Sequence, residues 1–208
     1  MNGIGIWMDS MDKGLFDWLR TALYSNWLET YAGLLGDIHA WVPMIVFLTI
    51  VLYLSKPQSA VFSLFFALAT FILSFQAAML LAKFLEQPSP VRAEWVLHNV
   101  QLPAMGRALG LSMPDWAIAA MAGLLHYARL RARQFGQGGL LWGWIFIGIM
   151  ALLRVYAGFT YPIGAVMAIL IGVLLAWLMF RLTRSVEVLS PTMQSPNSDK
   201  DQSDPDKF

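Results

Sequence analysis

Five stretches of mainly apolar residues, separated by polar breaks, occupy most of the chain between residues 38 and 182. They are Ile38–Leu54, Ala60–Leu81, Trp116–Leu130, Leu140–Tyr156 and Ile163–Leu182. A helix needs roughly 17–25 residues to cross the hydrocarbon core of a bilayer, and each stretch has about that length or falls slightly short of it. The pattern therefore predicts an all-α fold, a polytopic membrane helix bundle with about five transmembrane helices.

The third stretch differs from the others because it is short and rich in small residues. Small residues allow helix backbones to approach closely in a membrane, so this pattern indicates a helix packed inside the bundle. The residues concerned are Ala117, Ala119, Ala120, Ala122 and Gly123.

The segment Met11–Gly36 has a different pattern, with apolar and charged residues alternating at helical spacing. Its apolar positions are Leu15, Phe16, Leu19, Leu23, Trp27 and Leu28, and its charged ones include Asp17, Arg20 and Glu29. This pattern favours an amphipathic helix that lies in the membrane interface. The alternative is a first spanning helix whose charges face the inside of the bundle.

Two polar segments interrupt or follow the apolar stretches. Glu86–Pro114 contains four prolines and predicts a long loop, a feature that in compact domains is usually functional or disordered. Ser185–Phe208 is polar and contains three prolines, which is typical of a disordered tail. The predicted organisation is a membrane-embedded helical domain over residues 1–184 and a polar tail over residues 185–208.

The composition supports a membrane protein and excludes several kinds of chemistry. Hydrophobic residues make up 58% of the chain and charged residues 13%, whereas soluble domains carry about 25% charged residues. The absence of cysteine excludes disulfides and thiol catalysis. Because His39, His98 and His126 have no metal-ligand spacing and no basic run is interleaved with aromatic residues, we expect no metal, no cofactor and no nucleic acid partner.

The basic residues predict the orientation of the bundle. Arg129, Arg131 and Arg133 cluster around a very short loop, where the positive-inside rule is most reliable. We therefore expect an integral membrane protein with a cytoplasmic C-terminus, and we expect the membrane to be a bacterial inner membrane. The Glu86–Pro114 loop and Arg154 then lie on the outer side.

A motif between the last two apolar stretches resembles a known family. Residues 153–162 read Leu-Arg-Val-Tyr-Ala-Gly-Phe-Thr-Tyr-Pro. This sequence is similar to Ser-Arg-Val-Tyr-x-Gly-x-His-Tyr-Pro, the third motif of the type-2 phosphatidic acid phosphatases. In that register Thr160 stands at the position of the nucleophilic histidine, and Gly164 stands at that of the aspartate that orients it.

The other two motifs of the family are poorly preserved. Ser112–Ala117 resembles Ser-Phe-Pro-Ser-Gly-His, with Asp115 at the second serine and Ala117 at the general-acid histidine. The Lys-x6-Arg-Pro motif falls near Lys83. Either Pro90 is its proline and Ser89 replaces its arginine, or Lys83 is its lysine and the Arg-Pro pair is lost. Arg92 is close enough in sequence to substitute.

The resemblance implies a bundle that handles lipid phosphates, because members of the family remove phosphate from lipids through a phosphohistidine intermediate. With both histidine positions replaced, the sequence predicts a pseudoenzyme that binds membrane lipids or a partner subunit. A second hypothesis is an active phosphatase, of the phosphatidic acid or undecaprenyl pyrophosphate class, with a rearranged outer site. That site would use Arg154, Arg92, Thr160, Asp115 or His98. A third is a structural subunit of a membrane complex.

Arg154 has two interpretations that the sequence leaves open. It binds the phosphate of a lipid head group, together with Lys83 and Arg92, as the resemblance implies. Alternatively, it forms an ion pair with Asp115 or extends to the interface, because a buried arginine in a membrane needs a partner or water. Unless Asp115 is paired with an arginine, its negative charge repels a phosphate.

Overall fold

The structure is a computed structural model that describes residues 3–25, 27–28, 31–32, 41–55, 60–85, 90, 114–131 and 138–189. The regular elements of these residues are six α-helices and no strand. The all-α prediction is therefore confirmed for the described residues. The helices are α1 (Gly3–Ala22), α2 (Val42–Ser55), α3 (Ala60–Leu85), α4 (Trp116–Arg131), α5 (Gly138–Tyr156) and α6 (Pro162–Leu189). Each of helices α2 to α6 overlaps one of the five predicted apolar stretches, in the same order.

Two of these helices are long and apolar enough to cross a membrane. They are the Val61–Leu85 part of α3, with a mean hydropathy of 2.2, and the Pro162–Val186 part of α6, with a mean hydropathy of 2.6. Only 22% and 33% of their most apolar windows are buried within the protein. A core helix of a soluble protein would be mostly buried, so their exposure is consistent with a membrane protein.

Helix α4 is the central element, and every residue from Ala117 to Leu125 is buried. It runs antiparallel to α3, because Arg131 contacts Ser63 while Gly123 meets Ser74. It runs parallel to α6, with Gly172 beside Ala119 and Tyr127 bonded to Thr183. The prediction that the third stretch packs inside the bundle is confirmed.

Small residues allow α3, α4 and α6 to pack so closely that their backbones are nearly in contact. A Cβ added at Gly172 would lie 2.7 Å from the backbone nitrogen of Gly123 and would overlap the carbonyl oxygen of Ala119. A Cβ added at Gly123 would overlap the Ser74 Oγ. We call Ser74, Ala119, Gly123 and Gly172 the glycine seam.

The N-terminal helix differs from the prediction in its limits and in the direction of its charges. It begins at Gly3 and ends at Ala22, whereas the predicted segment was Met11–Gly36. Residues 27–28 and 31–32 of that segment are helical as well, and residues 33–36 lie outside the described residues. Asp12 and Arg20 are buried, as in the alternative with inward charges, while Asp17 is exposed. The periodicity could not predict that Asp12 and Arg20 are buried, because the residues that they contact, Ile163 and Tyr156, are distant in the sequence.

The C-terminal boundary also differs. Helix α6 continues to Leu189, so residues 185–189 of the predicted tail are helical. The sequence stays partly apolar after Arg184, at Val186, Val188 and Leu189. The helix therefore ends later in the sequence than predicted. Residues 190–208 and most of the Glu86–Pro114 loop lie outside the described residues.

Candidate functional site

The third motif forms the end of α5 and the turn into α6. Gly158 has a φ of 78°, a left-handed conformation that a glycine adopts without steric cost. The Phe159 amide donates to the Arg154 carbonyl at 2.9 Å, and the Gly158 amide donates to the Val155 carbonyl at 3.0 Å. These two bonds are those of a Schellman motif, which satisfies the last carbonyls of a helix. The glycine of the motif therefore ends α5 one turn after Arg154.

Asp115 is the N-cap residue of α4. Its Oδ1 atom accepts hydrogen bonds from the amides of Ala117 at 2.9 Å and Ile118 at 3.1 Å. An aspartate at this position satisfies amides that have no partner within the helix, and its charge also suits the positive end of the helix dipole. Asp115 thus fixes the start of the helix that carries Ala117, the residue that the resemblance matches to the general-acid histidine.

Arg154 and Asp115 form a buried ion pair across α4 and α5. The Arg154 Nε donates to the Asp115 Oδ2 at 2.7 Å, and the two side chains are 7% and 2% exposed. The guanidinium also lies over aromatic rings, with its Cζ 4.7 Å from the centroid of Phe159 and 5.8 Å from that of Trp116. Of the two interpretations of Arg154, the one observed in the structure is the ion pair with Asp115.

Helix α1 covers the same turn with two further charged residues. The Asp12 Oδ1 accepts a hydrogen bond from the Ile163 amide at 3.0 Å, at the start of α6. The Arg20 Nη1 donates to the Tyr156 carbonyl at 3.5 Å, at the end of α5, and its Cζ lies 5.2 Å from the Tyr156 ring. A carboxylate thus meets the positive end of one helix dipole and a guanidinium meets the negative end of another. We call Asp12, Arg20, Asp115 and Arg154 the charged end.

Apolar contacts close this end of the bundle. Phe16 is fully buried between the charged residues of α1 and makes an edge-on contact with Tyr161 at 6.1 Å between ring centroids. Leu28 and Ala32 belong to the cluster around Leu153 and Tyr156. The N-terminal segment therefore packs directly on the third motif.

The position that the resemblance matches to the nucleophilic histidine holds a buried hydroxyl. Thr160 is fully buried, and its Oγ1 donates to the Tyr161 carbonyl at 3.4 Å. Ala117 and Gly164 are buried as well and offer no titratable group. His126 is ten residues further along α4 than Trp116, roughly 15 Å away at 1.5 Å per residue, and its ring packs against Trp144.

Of the other two predicted phosphate-binding residues, the structure describes only Lys83. Lys83 is exposed in the last turn of α3 and makes no described contact with Arg154 or Asp115. Arg92 and His98 lie outside the described residues. Within the described ranges, no cluster of three or more histidine, aspartate or glutamate residues could hold a metal ion.

Sequence reasoning missed the capping role of Asp115, the role of Gly158 in ending α5 and the contact of Asp12 with α6. The double role of Asp115 had a local signal, since an aspartate directly before an apolar helical stretch is typical of an N-cap. Gly158 had one too, since glycine commonly follows the end of a helix. Asp12 had no such signal, because its partner lies 151 residues away.

Protein-family models, curated proteins and solved structures include no significant match to this chain. The resemblance to lipid phosphatases thus rests on the motif residues alone. The geometry itself is a carboxylate bound to both a guanidinium and the amides of a helix N-terminus. Those two kinds of group are also the ones that proteins use to bind phosphate.

Proposed function

We propose that this protein is a catalytically silent, lipid-phosphatase-like membrane protein that acts by binding and not by hydrolysis. The observation that carries the proposal is the Asp115 carboxylate. It accepts hydrogen bonds from Arg154 and from two amides of α4, so the groups that would hold a phosphate already hold an internal anion.

The chemistry at the remaining motif positions supports the same conclusion. Transfer of a phosphoryl group to the protein needs an activated nucleophile and a group that protonates the leaving oxygen. Thr160 is a hydroxyl buried from solvent, and Ala117 and Gly164 carry no acid or base. An enzyme whose catalytic residues work as a unit loses most of its activity when one of them is replaced, and here several are replaced together.

The proposed setting is a bundle of five spanning helices, α2 to α6, with α1 packed at the outer end. The two long apolar helices support the membrane setting, and the arginines at the end of α4 support a cytoplasmic C-terminus. The charged end then lies near the outer surface of a bacterial inner membrane. Because its anion site is filled from within, we favour a partner protein over a lipid phosphate as the bound molecule.

The test is phosphate release from phosphatidic acid, phosphatidylglycerol phosphate and undecaprenyl pyrophosphate by the protein in mild detergent. We expect no release above the detergent blank, both for the wild type and for Arg154→Ala, while an active lipid phosphatase in the same micelles serves as the positive control. Release that Arg154→Ala abolishes would overturn the proposal.

The rearranged phosphatase is tested in the same assay. If the wild type releases phosphate, Thr160→Ala, Asp115→Ala and His98→Ala are compared with it. Loss of release in any of the three would assign the activity to this end of the protein. Unchanged release in all three would indicate a contaminating enzyme.

A further inference from the structure

One face of α3 is exposed along the whole length of the helix. Its residues recur every three or four positions and therefore lie on one side. The apolar members are between 46% and 81% exposed. We call this the exposed face of α3, and it consists of Val61, Phe65, Leu68, Ile72, Gln76 and Leu80.

Gln76 is a polar residue in the middle of this apolar face. It is exposed, and its side chain makes no hydrogen bond with any residue that the structure describes. Thr49 on the exposed side of α2 differs, because its hydroxyl donates to the Ile45 carbonyl of its own helix at 2.8 Å. A glutamine side chain is too long to bond readily to a carbonyl of its own helix as Thr49 does. The Gln76 amide therefore needs a partner from outside the described structure.

The depth of Gln76 makes that need strong. It lies fifteen residues after Val61 and seven before Lys83, which corresponds to roughly 22 Å and roughly 10 Å along the helix. If α3 spans the bilayer as proposed above, this amide lies within the hydrocarbon core. An amide without a hydrogen bond is costly there, and glutamine side chains commonly bond across helices in membranes.

A second copy of this chain supplies the matching group without any further assumption. All copies have the same orientation in the membrane, so two α3 helices that meet are parallel and their Gln76 residues lie at the same depth. A carboxamide is both a donor and an acceptor, and two of them satisfy each other across a two-fold axis. We infer that the exposed face of α3 is the interface of a homodimer, with the Gln76 amides paired across it.

The exposed face of α6 provides the internal comparison. Val166, Leu170 and Leu174 follow the same spacing and are 57–65% exposed, with no polar residue among them. Lipid chains can cover such a face, so it should not mediate a specific contact. The inference rests on the proposed membrane setting and not on the loss of hydrolysis.

Cysteine cross-linking tests the interface directly, because the chain contains no cysteine of its own. Ile72→Cys, one turn from Gln76, is oxidised in native membrane vesicles, with Leu170→Cys on α6 as the matched control. We expect a cross-linked dimer of twice the monomer mass for Ile72→Cys, at least about fivefold above the control. Adding Gln76→Leu should weaken association roughly 3- to 30-fold, whereas Gln76→Asn should retain most of it.

Three results would overturn the inference: equal cross-linking at positions 72 and 170, a cross-link of Ile72→Cys to a different protein, or a dimer that Gln76→Leu leaves unchanged. Gln76→Leu makes the helix more apolar, so a loss of membrane insertion would not explain weaker cross-linking of this variant. Alkaline extraction of the same vesicles tests the membrane setting separately, and phosphate release by the same variants tests the loss of hydrolysis.

Discussion

The charged end and the glycine seam are both buried in the same bundle, but opposite features stabilise them. At the charged end, carboxylates and guanidinium groups bind each other and the ends of three helices. In the seam, the absence of side chains allows α4 and α6 to approach closely. The first region should therefore be sensitive to charge and the second to volume, and the predictions below test this difference.

The largest expected effect is at Asp115. Asp115→Leu removes the partner of a buried arginine and the cap of α4, and breaking a buried pair in this way costs about 3–5 kcal/mol. Asp115→Asn keeps an oxygen that can accept the amide bonds, so its cost should be smaller. Unfolding of the detergent-solubilised protein by sodium dodecyl sulfate measures both.

Asp17→Asn is the control for this prediction, because Asp17 is an exposed aspartate. It should change the free energy of unfolding by less than about 0.5 kcal/mol, as is usual for surface positions. If Asp115→Leu were equally mild, the ion pair would not stabilise the fold.

The next effect is at Gly172, where volume should matter and charge is not involved. Gly172→Ala adds a methyl group that meets the backbone of α4, and such overpacking typically costs about 1–3 kcal/mol. Gly148→Ala on α5 is the matched control, because a Cβ there meets nothing within 4 Å. Alanine is the better helix former by about 1 kcal/mol, so the control should be neutral or stabilising. Equal losses in the two variants would refute the seam.

A smaller effect should reveal a coupling within the seam. Gly123→Ala destabilises because its Cβ overlaps the Ser74 Oγ, and Ser74→Ala removes that atom and leaves a 3.2 Å contact with the Ser74 Cβ. The Ser74 Oγ is buried without a hydrogen bond in the described structure, so Ser74→Ala alone should be neutral or stabilising. The double variant should recover about 1 kcal/mol relative to additivity, as measured by a double-mutant cycle. Strict additivity would contradict the proposed overlap.

The smallest effect is expected at the end of the bundle that is opposite the charged end. The hydroxyls of Tyr127 and Thr183 are 3.1 Å apart, and this pair carries no charge. Tyr127→Phe should cost about 0.5–1.5 kcal/mol in the same unfolding assay, with Tyr53→Phe as the exposed control. A cost as large as that of Asp115→Leu would show that charge is not what distinguishes the two ends.

Helices α2 to α6 could be predicted from the sequence because each is a continuous apolar stretch with polar residues at both ends. Leu140–Tyr156 was predicted and Gly138–Tyr156 is observed, a difference of two residues at one end. The inner position of α4 followed from its alanines. These are local features, which a single sequence contains in full.

The charged end was only partly predictable. Pairing of Asp115 with Arg154 was one of the alternatives, since both lie in motif positions that the resemblance brings to one face. The contacts of Asp12 and Arg20 were not predictable, because they join residues 151 and 136 positions apart and leave no periodic pattern. Close packing was anticipated for Ala119 and Gly123 of α4, but their partners Ser74 and Gly172 depend on the relative positions of three helices.

The contacts of α1 have a consequence for how the protein is made. Asp12 cannot make its contact with Ile163 until that residue has been synthesised, which at 5–20 residues per second is roughly 8–30 s after the synthesis of Asp12. During that interval Asp12 and Arg20 lack their contacts with Ile163 and Tyr156. Docking of the first helix onto the turn between α5 and α6 is therefore a late step of assembly, and a chain that ends before α6 cannot complete it.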